Sequence, residues 1–229
     1  MDAPSQAKGL QFLQERYGDP ILTGLTVLLL VMMFVVAPLQ AADVIAFEAF
    51  GLVVAVAMVL GVLVMSRSPI AFILISVAVA MNGVGAVLGL HRLSTFDVYL
   101  VSAAWLLMSL VLGWVVDRQV FAAGRITYHR VIGAVLLYLL IALFFVAAFA
   151  FVGLFDPNAF QGIKIEDSTA LASNLIYFSV VTLTSTGYGD LLPVHPIARS
   201  LCNIETIIGQ LYPATLLARL VTLELAGRK

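Results

Sequence analysis

The sequence predicts an all-α membrane protein: six transmembrane helices, plus one further segment that enters the membrane and leaves on the side it came from. Three observations predict it. Of the 229 residues, 62% are hydrophobic and only 11% charged, against about 25% charged in a soluble domain. The charges punctuate the chain into uncharged runs, each about as long as a helix must be to cross a hydrocarbon core of ~30 Å. The basic residues fall mostly on one side once the sixth run is folded back. The net charge of −1 offers no basic surface for nucleic acid. The single cysteine, Cys202, can make neither an intrachain disulfide nor a thiolate cage and reads as small apolar filler.

The uncharged runs are 20–42, 49–66, 68–91, 98–116, 131–155 and 168–189, and a seventh, 200–218, is broken only by Glu205. The first is too long for a signal-peptide core and follows acidic residues, so it reads as a retained span. If the sixth run dips and returns, Lys8, Arg16, Arg67, Arg118, Arg125, Arg130, Arg219, Arg228 and Lys229 all face the cytoplasm. Only Arg92, Lys164 and Arg199 stay outside, among acidic residues that run from Asp43 to Asp190. If the sixth run crosses fully, the basic C-terminus moves outside. Six spans with both termini cytoplasmic, in the cell (inner or plasma) membrane, is the better fit.

Residues 184–190, TSTGYGD, explain the dip. Gly187 and Gly189 each cost a helix about 1 kcal/mol, and non-helical backbone cannot face lipid with its polar groups unpaired. Residues 168–189 therefore read as a short helix followed by a non-helical return that is buried in protein or lines a water-filled path. Asp167, Ser168 and Thr169 are N-cap candidates. A helix from there to Leu183 is ~22 Å long. It reaches the membrane middle with its electronegative end, which favours a cation there.

The stretch YFSVVTLTSTGYGDLLP, Tyr177 to Pro193, resembles the pore loop of tetrameric potassium channels: a short helix with aromatic residues, a threonine-rich turn and a TVGYGD-type filter. Downstream, GQLYPATLLARLV resembles the inner helix of simple bacterial channels, with Gly209 and Pro213 where that helix bends. The resemblance runs from Ile126 onward and is weak before it. It implies a homotetramer around a central pore, each chain with three identical partners in membrane lipid. It implies no small-molecule substrate, and no cofactor beyond permeant potassium ions. Carbonyls of Ser185, Thr186, Gly187 and Tyr188 would bind potassium, within a filter of residues 185–189 that ends at Gly189. The Ser185 hydroxyl would complete the innermost site. Tyr188 would brace the filter against Tyr177 and Phe178, Thr182 and Thr184 would support it, and Asp190 would cap the outer mouth.

The implied function is a potassium-selective channel. A poorly selective monovalent cation channel of the same architecture and a non-conducting channel-like scaffold are the alternatives. No paired carboxylates, His/Cys cluster or nucleophile–base set suggests an enzyme.

Two filter positions depart from the family, which usually has Thr and Val where this chain has Ser185 and Thr186. Serine keeps the hydroxyl and drops the methyl. Thr186 is nearly isosteric with valine, but its hydroxyl needs a partner. Either it bonds a nearby pore-helix group, the favoured reading, or it loosens the filter and weakens the preference for potassium over sodium. Glu205, one helical turn before Gly209, is the one full charge inside a span. Two orientations fit: facing the cavity and drawing cations, or facing the pore helix, protonated or bonded to Thr182 or Thr186. The second is favoured because the matching family position is usually apolar. Gly209, Pro213 and Glu205 are the gating candidates, and Asn203 reads as helix–helix glue.

Four spans before a pore pair is the layout of voltage-gated channels, yet the fourth run holds no arginine. Arg118, Arg125 and Arg130 follow it without a period of three. With no charges there to move in the field, no arginine-based voltage sensor is expected. The chain divides into a cytoplasmic segment 1–20, a four-helix module 21–117, a cytoplasmic or interfacial linker 118–130, a pore domain 131–225 and a short tail 226–229. In the module, Gly85 and Gly89 form a small-residue face, Asn82 suits a cross-helix bond, and Trp114 suits an interface anchor. The linker's arginines suit anionic headgroups. His91, His129 and His195 read as polar boundary residues, and only His195, just past the filter, has a place from which protonation could touch conduction.

Overall fold

The computed structural model describes residues 20–45, 50–66, 68–91, 95–121, 128–163 and 170–227. Seven helices follow in order: α1 (Pro20–Ala41), α2 (Phe50–Met65), α3 (Pro69–His91), α4 (Thr95–Val120), α5 (Tyr128–Phe155), α6 (Leu171–Leu183) and α7 (Pro196–Gly227). Each uncharged run has its own helix. The sixth helix stops at Leu183, where the glycine-containing end of its run begins.

Among the described residues, three helices are long and apolar enough to cross a membrane by length and composition: Pro20–Ala41, Phe96–Val120 and Tyr128–Phe155. With 13 residues, α6 is ~20 Å long and cannot span a ~30 Å core. α1 widens to a π-turn at Met32–Val36 just before Pro38, which has no N–H to continue the ladder. The N-cap candidates Asp167, Ser168 and Thr169 lie outside the described residues, as do most of segment 1–20, the linker from 122 to 127 with Arg125, the surroundings of Gly89 and the side chain of His91.

Helix α4 lies along α5, α3 lies along α4, and α2 packs on α3. The helices of the first 120 residues thus pack through α4 on α5 of the same chain. Met108, Val111, Leu112, Val115 and Val116 of α4 share one core with Leu136, Leu139, Leu140 and Leu143 of α5. Between helices in lipid, close packing and small residues supply the contact. A Cβ on Gly85 would lie 2.7 Å from Val101 Cγ2, so this half of the small-residue pair is used for close approach. Polar ties join α1 to the start of α5: Thr23 Oγ1 and His129 Nδ1 are 2.8 Å apart, and the Thr26 hydroxyl lies 3.3 Å from Ile132 O of α5. His129 is therefore a structural boundary residue. Trp114 is exposed near the end of α4 with the Arg118 guanidinium 4.1 Å over its ring, an amphipathic pair suited to a membrane interface.

A second core is aromatic. Phe149, Phe160 and Phe178 meet edge to face, with centroids 4.9 Å apart for Phe149–Phe178 and 5.5 Å for Phe160–Phe178, a favoured ring geometry. It ties α5 and α6 to the loop between them. That loop is pinned to the chain beyond residue 190 by a two-stranded antiparallel ladder, β1 (Phe160–Gln161) with β2 (Leu192–Pro193). His195 then starts α7: its Nδ1 accepts the backbone N–H of Ile197 at 3.2 Å, and Pro196 takes the first helical position, where a missing N–H costs nothing.

Candidate functional site

The site is built on the end of α6. The last carbonyls of a helix have no partner within it, and here each of the last four finds one. Val180 O accepts the N–H of Thr184 at 3.0 Å and its hydroxyl at 2.7 Å. Val181 O accepts the N–H of Thr186 at 2.9 Å. Thr182 O accepts the N–H of Ser185 at 3.0 Å and the Thr206 hydroxyl of α7 at 3.2 Å. Leu183 O lies 3.4 Å from the Tyr138 hydroxyl of α5. The tip of α6 is held by the segment that leaves it and by both flanking helices.

That segment has an alternating backbone. Ser185, Gly187 and Gly189 hold φ of +57°, +58° and +80°, while Thr186 and Tyr188 between them do not enter the positive region. In an extended strand successive carbonyls point to opposite sides. Reversing the sign of φ at every second residue brings them toward one side instead. Open space surrounds the missing Cβ of both glycines, so glycine is required there by conformation and not by crowding. Ser185 adopts the same region at a cost of about 1–2 kcal/mol. Residues 184–190 are all exposed on the single chain.

Side chains brace this ribbon from behind. The Tyr188 ring stacks on Tyr177 at 6.2 Å and 6°, and the Tyr177 hydroxyl donates to Asp190 Oδ2 at 2.9 Å. Phe178 turns the other way, into the aromatic core. Thr182 donates back to Phe178 O at 2.8 Å. The Thr184 and Thr186 hydroxyls are 2.8 Å apart; since Thr184 gives its one proton to Val180 O, Thr186 is the donor. Its hydroxyl is thus satisfied at the C-cap of α6. Gln210 of α7 donates its amide N–H to the Ser185 hydroxyl at 2.8 Å. Sequence reasoning missed Gln210; the signal was an uncharged polar side chain directly after Gly209 in an otherwise apolar stretch.

Glu205 faces the pore helix and not a cavity. It is fully buried, and Oε1 lies 2.5 Å from the Ser179 hydroxyl. The expected partners Thr182 and Thr186 are engaged elsewhere, so the partner is corrected to Ser179: α7 crosses α6 one turn further from the tip than those threonines require. Ser179 also reaches Ala142 O of α5 at 2.9 Å, and the three helices meet in one chain of polar contacts.

Gly209 and Pro213 are the bending points that the sequence suggests. α7 runs unbroken through Pro213, and Gly209 is buried against the backbone of Leu183. Pro213 has no N–H for the carbonyl of Gly209, four residues back. The Tyr138 hydroxyl lies 3.4 Å from that oxygen as well, between the two carbonyls that the ends of regular hydrogen bonding leave over. Tyr138, whose ring stacks on Tyr212 at 5.7 Å, is a second residue the sequence did not disclose.

A half-length helix stands between two longer ones and is followed by a glycine-containing ribbon. Residues 134–224, about two fifths of the chain, match the family model described as "Ion channel". The match supports an ion channel with two spans and a pore loop, and not an enzyme. No curated protein and no solved structure matches the chain.

Proposed function

We propose that this protein is a potassium-selective channel: four copies surround one pore, and dehydrated potassium passes rings of carbonyl oxygens from Ser185, Thr186, Gly187 and Tyr188. The observation that carries the proposal is the alternating φ at Ser185, Gly187 and Gly189. Such a ribbon directs its carbonyls to one side, and rings of carbonyls replace an ion's hydration shell in potassium-channel filters. One chain offers only a single line of oxygens on an exposed face, so further copies must complete the coordination. The partial negative charge at the end of α6 favours a cation beneath the ribbon.

In the same proposal the chain spans the cell membrane six times, with both termini cytoplasmic, and α6 entering from outside. α1 to α4 form a scaffold rather than a voltage sensor, since Arg118 stands at the end of α4. The satisfied Thr186 hydroxyl weighs against a loosened, poorly selective filter.

Purified protein in liposomes tests this through reversal potentials in mixed potassium and sodium. A strong preference for potassium, block by barium and loss of flux in Gly187→Ala are expected. Sodium permeability near that of potassium would establish the poorly selective alternative, and no flux at all would establish the scaffold.

A further inference from the structure

The contact between Gln210 and Ser185 has a consequence for selection. Where the resemblance expects threonine, the branched methyl restricts χ1. Serine at position 185 has no such restriction, and its hydroxyl has three staggered positions to choose from. In some of them the proton, not a lone pair, faces the pore. Gln210 Nε2 lies 2.8 Å from Ser185 Oγ and occupies one of its two lone pairs. The reach of Gln210 is itself fixed, because its neighbour Gly209 is seated on the backbone of Leu183 at the tip of α6.

We propose that Gln210 is a specificity-determining residue of the pore: its amide holds the Ser185 hydroxyl in the rotamer that leaves the second lone pair for a dehydrating cation at the inner end of the filter. The hydrogen bond does here what the threonine methyl does by steric restriction. The proposal rests on reading residues 185–189 as the filter. It adds a residue on the inner helix, 25 positions away in sequence, to the groups that decide which ion is admitted.

The test uses the full chain in liposomes, with sodium-to-potassium permeability ratios from reversal potentials. Gln210→Leu keeps similar bulk and removes the donor; the ratio should rise about fivefold, the worth of one hydrogen bond. Adding Ser185→Thr to Gln210→Leu should bring the ratio back toward wild type, because the methyl restores the restriction. A merely structural role for Gln210 would not be rescued this way. In Ser185→Ala, where the acceptor is gone, Gln210→Leu should add no further change, a non-additivity that marks a direct pair. A wild-type ratio in Gln210→Leu, a double variant as unselective as Gln210→Leu alone, or additive effects in the Ser185→Ala background would each overturn the proposal. Should Gln210→Leu fail to assemble, Gln210→Met is read by the same three comparisons. Absence of flux in the wild-type protein would instead refute the channel reading beneath it, so the two failures are distinct.

Discussion

A Cβ on Gly209 would lie 1.9 Å from the carbonyl oxygen of Leu183. Helix α7 and the tip of α6 therefore meet backbone to backbone, and Gly209 is there for close approach. Gly209→Ala must push α7 off α6 against a rigid carbonyl. Overpacking of this kind costs about 1–3 kcal/mol, expected as a lower melting temperature in detergent with loss of potassium flux. A variant that melts and conducts like wild type would return Gly209 to the role of a simple hinge.

Pro213 makes the opposite case. Pro213→Ala supplies the missing N–H to Gly209 O, in competition with the Tyr138 hydroxyl 3.4 Å away. We expect equal or higher thermal stability, since removing proline from a helix interior relieves up to about 3 kcal/mol. A marked fall in melting temperature would mean that the bend, and not the Gly209 contact, holds the inner helix in place.

The Ser179 hydroxyl has one proton and two oxygens to face, Ala142 O at 2.9 Å and Glu205 Oε1 at 2.5 Å. The count closes when the carboxyl at position 205 supplies the second proton. Glu205→Gln offers an amide N–H in the same place and should change stability by less than about 1 kcal/mol. Glu205→Ala leaves Ser179 one partner short beside a cavity and should cost about 2 kcal/mol or more. Chemical or thermal unfolding of the two variants checks this; equal losses in both would mean that position 205 needs a charged carboxylate.

At the outer end, the bond from Tyr177 to Asp190 and the stacking of Tyr177 on Tyr188 separate by substitution. Tyr177→Phe keeps the ring and loses the hydroxyl. Sustained potassium flux should fall while the melting temperature of the protein stays near wild type. Wild-type flux over minutes would show that Asp190 needs no such tether.

Potassium removal tests the proposed ion binding directly. A ligand that binds only the folded state stabilises it by mass action, about 2.7 kcal/mol at a hundredfold excess over its dissociation constant. Replacing potassium by choline at constant ionic strength should lower the melting temperature of the wild-type protein and leave Gly187→Ala indifferent. A wild-type melting curve that ignores the exchange contradicts ion binding at residues 185–188.

Helix positions were legible because charge is expensive in lipid: each gap between Asp, Glu, Lys and Arg holds one helix, although α4 runs on through Asp117 and Arg118 and α7 extends from Pro196 to Gly227 through Arg199 and Arg219; the helix in 168–189 ends at Leu183, ahead of Gly187 and Gly189. The non-helical ribbon was legible at Gly187 and Gly189 because few residue types tolerate their positive φ. Polar residues inside the spans were legible only as needs. Glu205 announced that a partner exists, yet the Thr182 hydroxyl goes to Phe178 O, the Thr186 hydroxyl to that of Thr184, and Ser179 takes the carboxyl. Gln210 and Tyr138 gave little sign, because one polar side chain in an apolar helix does not say what it meets.

The sequence by itself determined that this chain has the composition of a membrane protein, along which stretches its helices lie, and that a non-helical ribbon follows a half-length helix. Local costs settle these things: the penalty for charge in hydrocarbon, for glycine in a helix, for unpaired backbone in lipid. Only the tertiary structure decided that Ser179 meets Glu205, that Gln210 meets Ser185 and that Tyr138 stands between Leu183 O and Gly209 O. Those pairs depend on the depth at which α5 and α7 cross α6. That depth is set by Gly209 on Leu183 and by the packing of whole helix faces, which no single stretch of sequence contains.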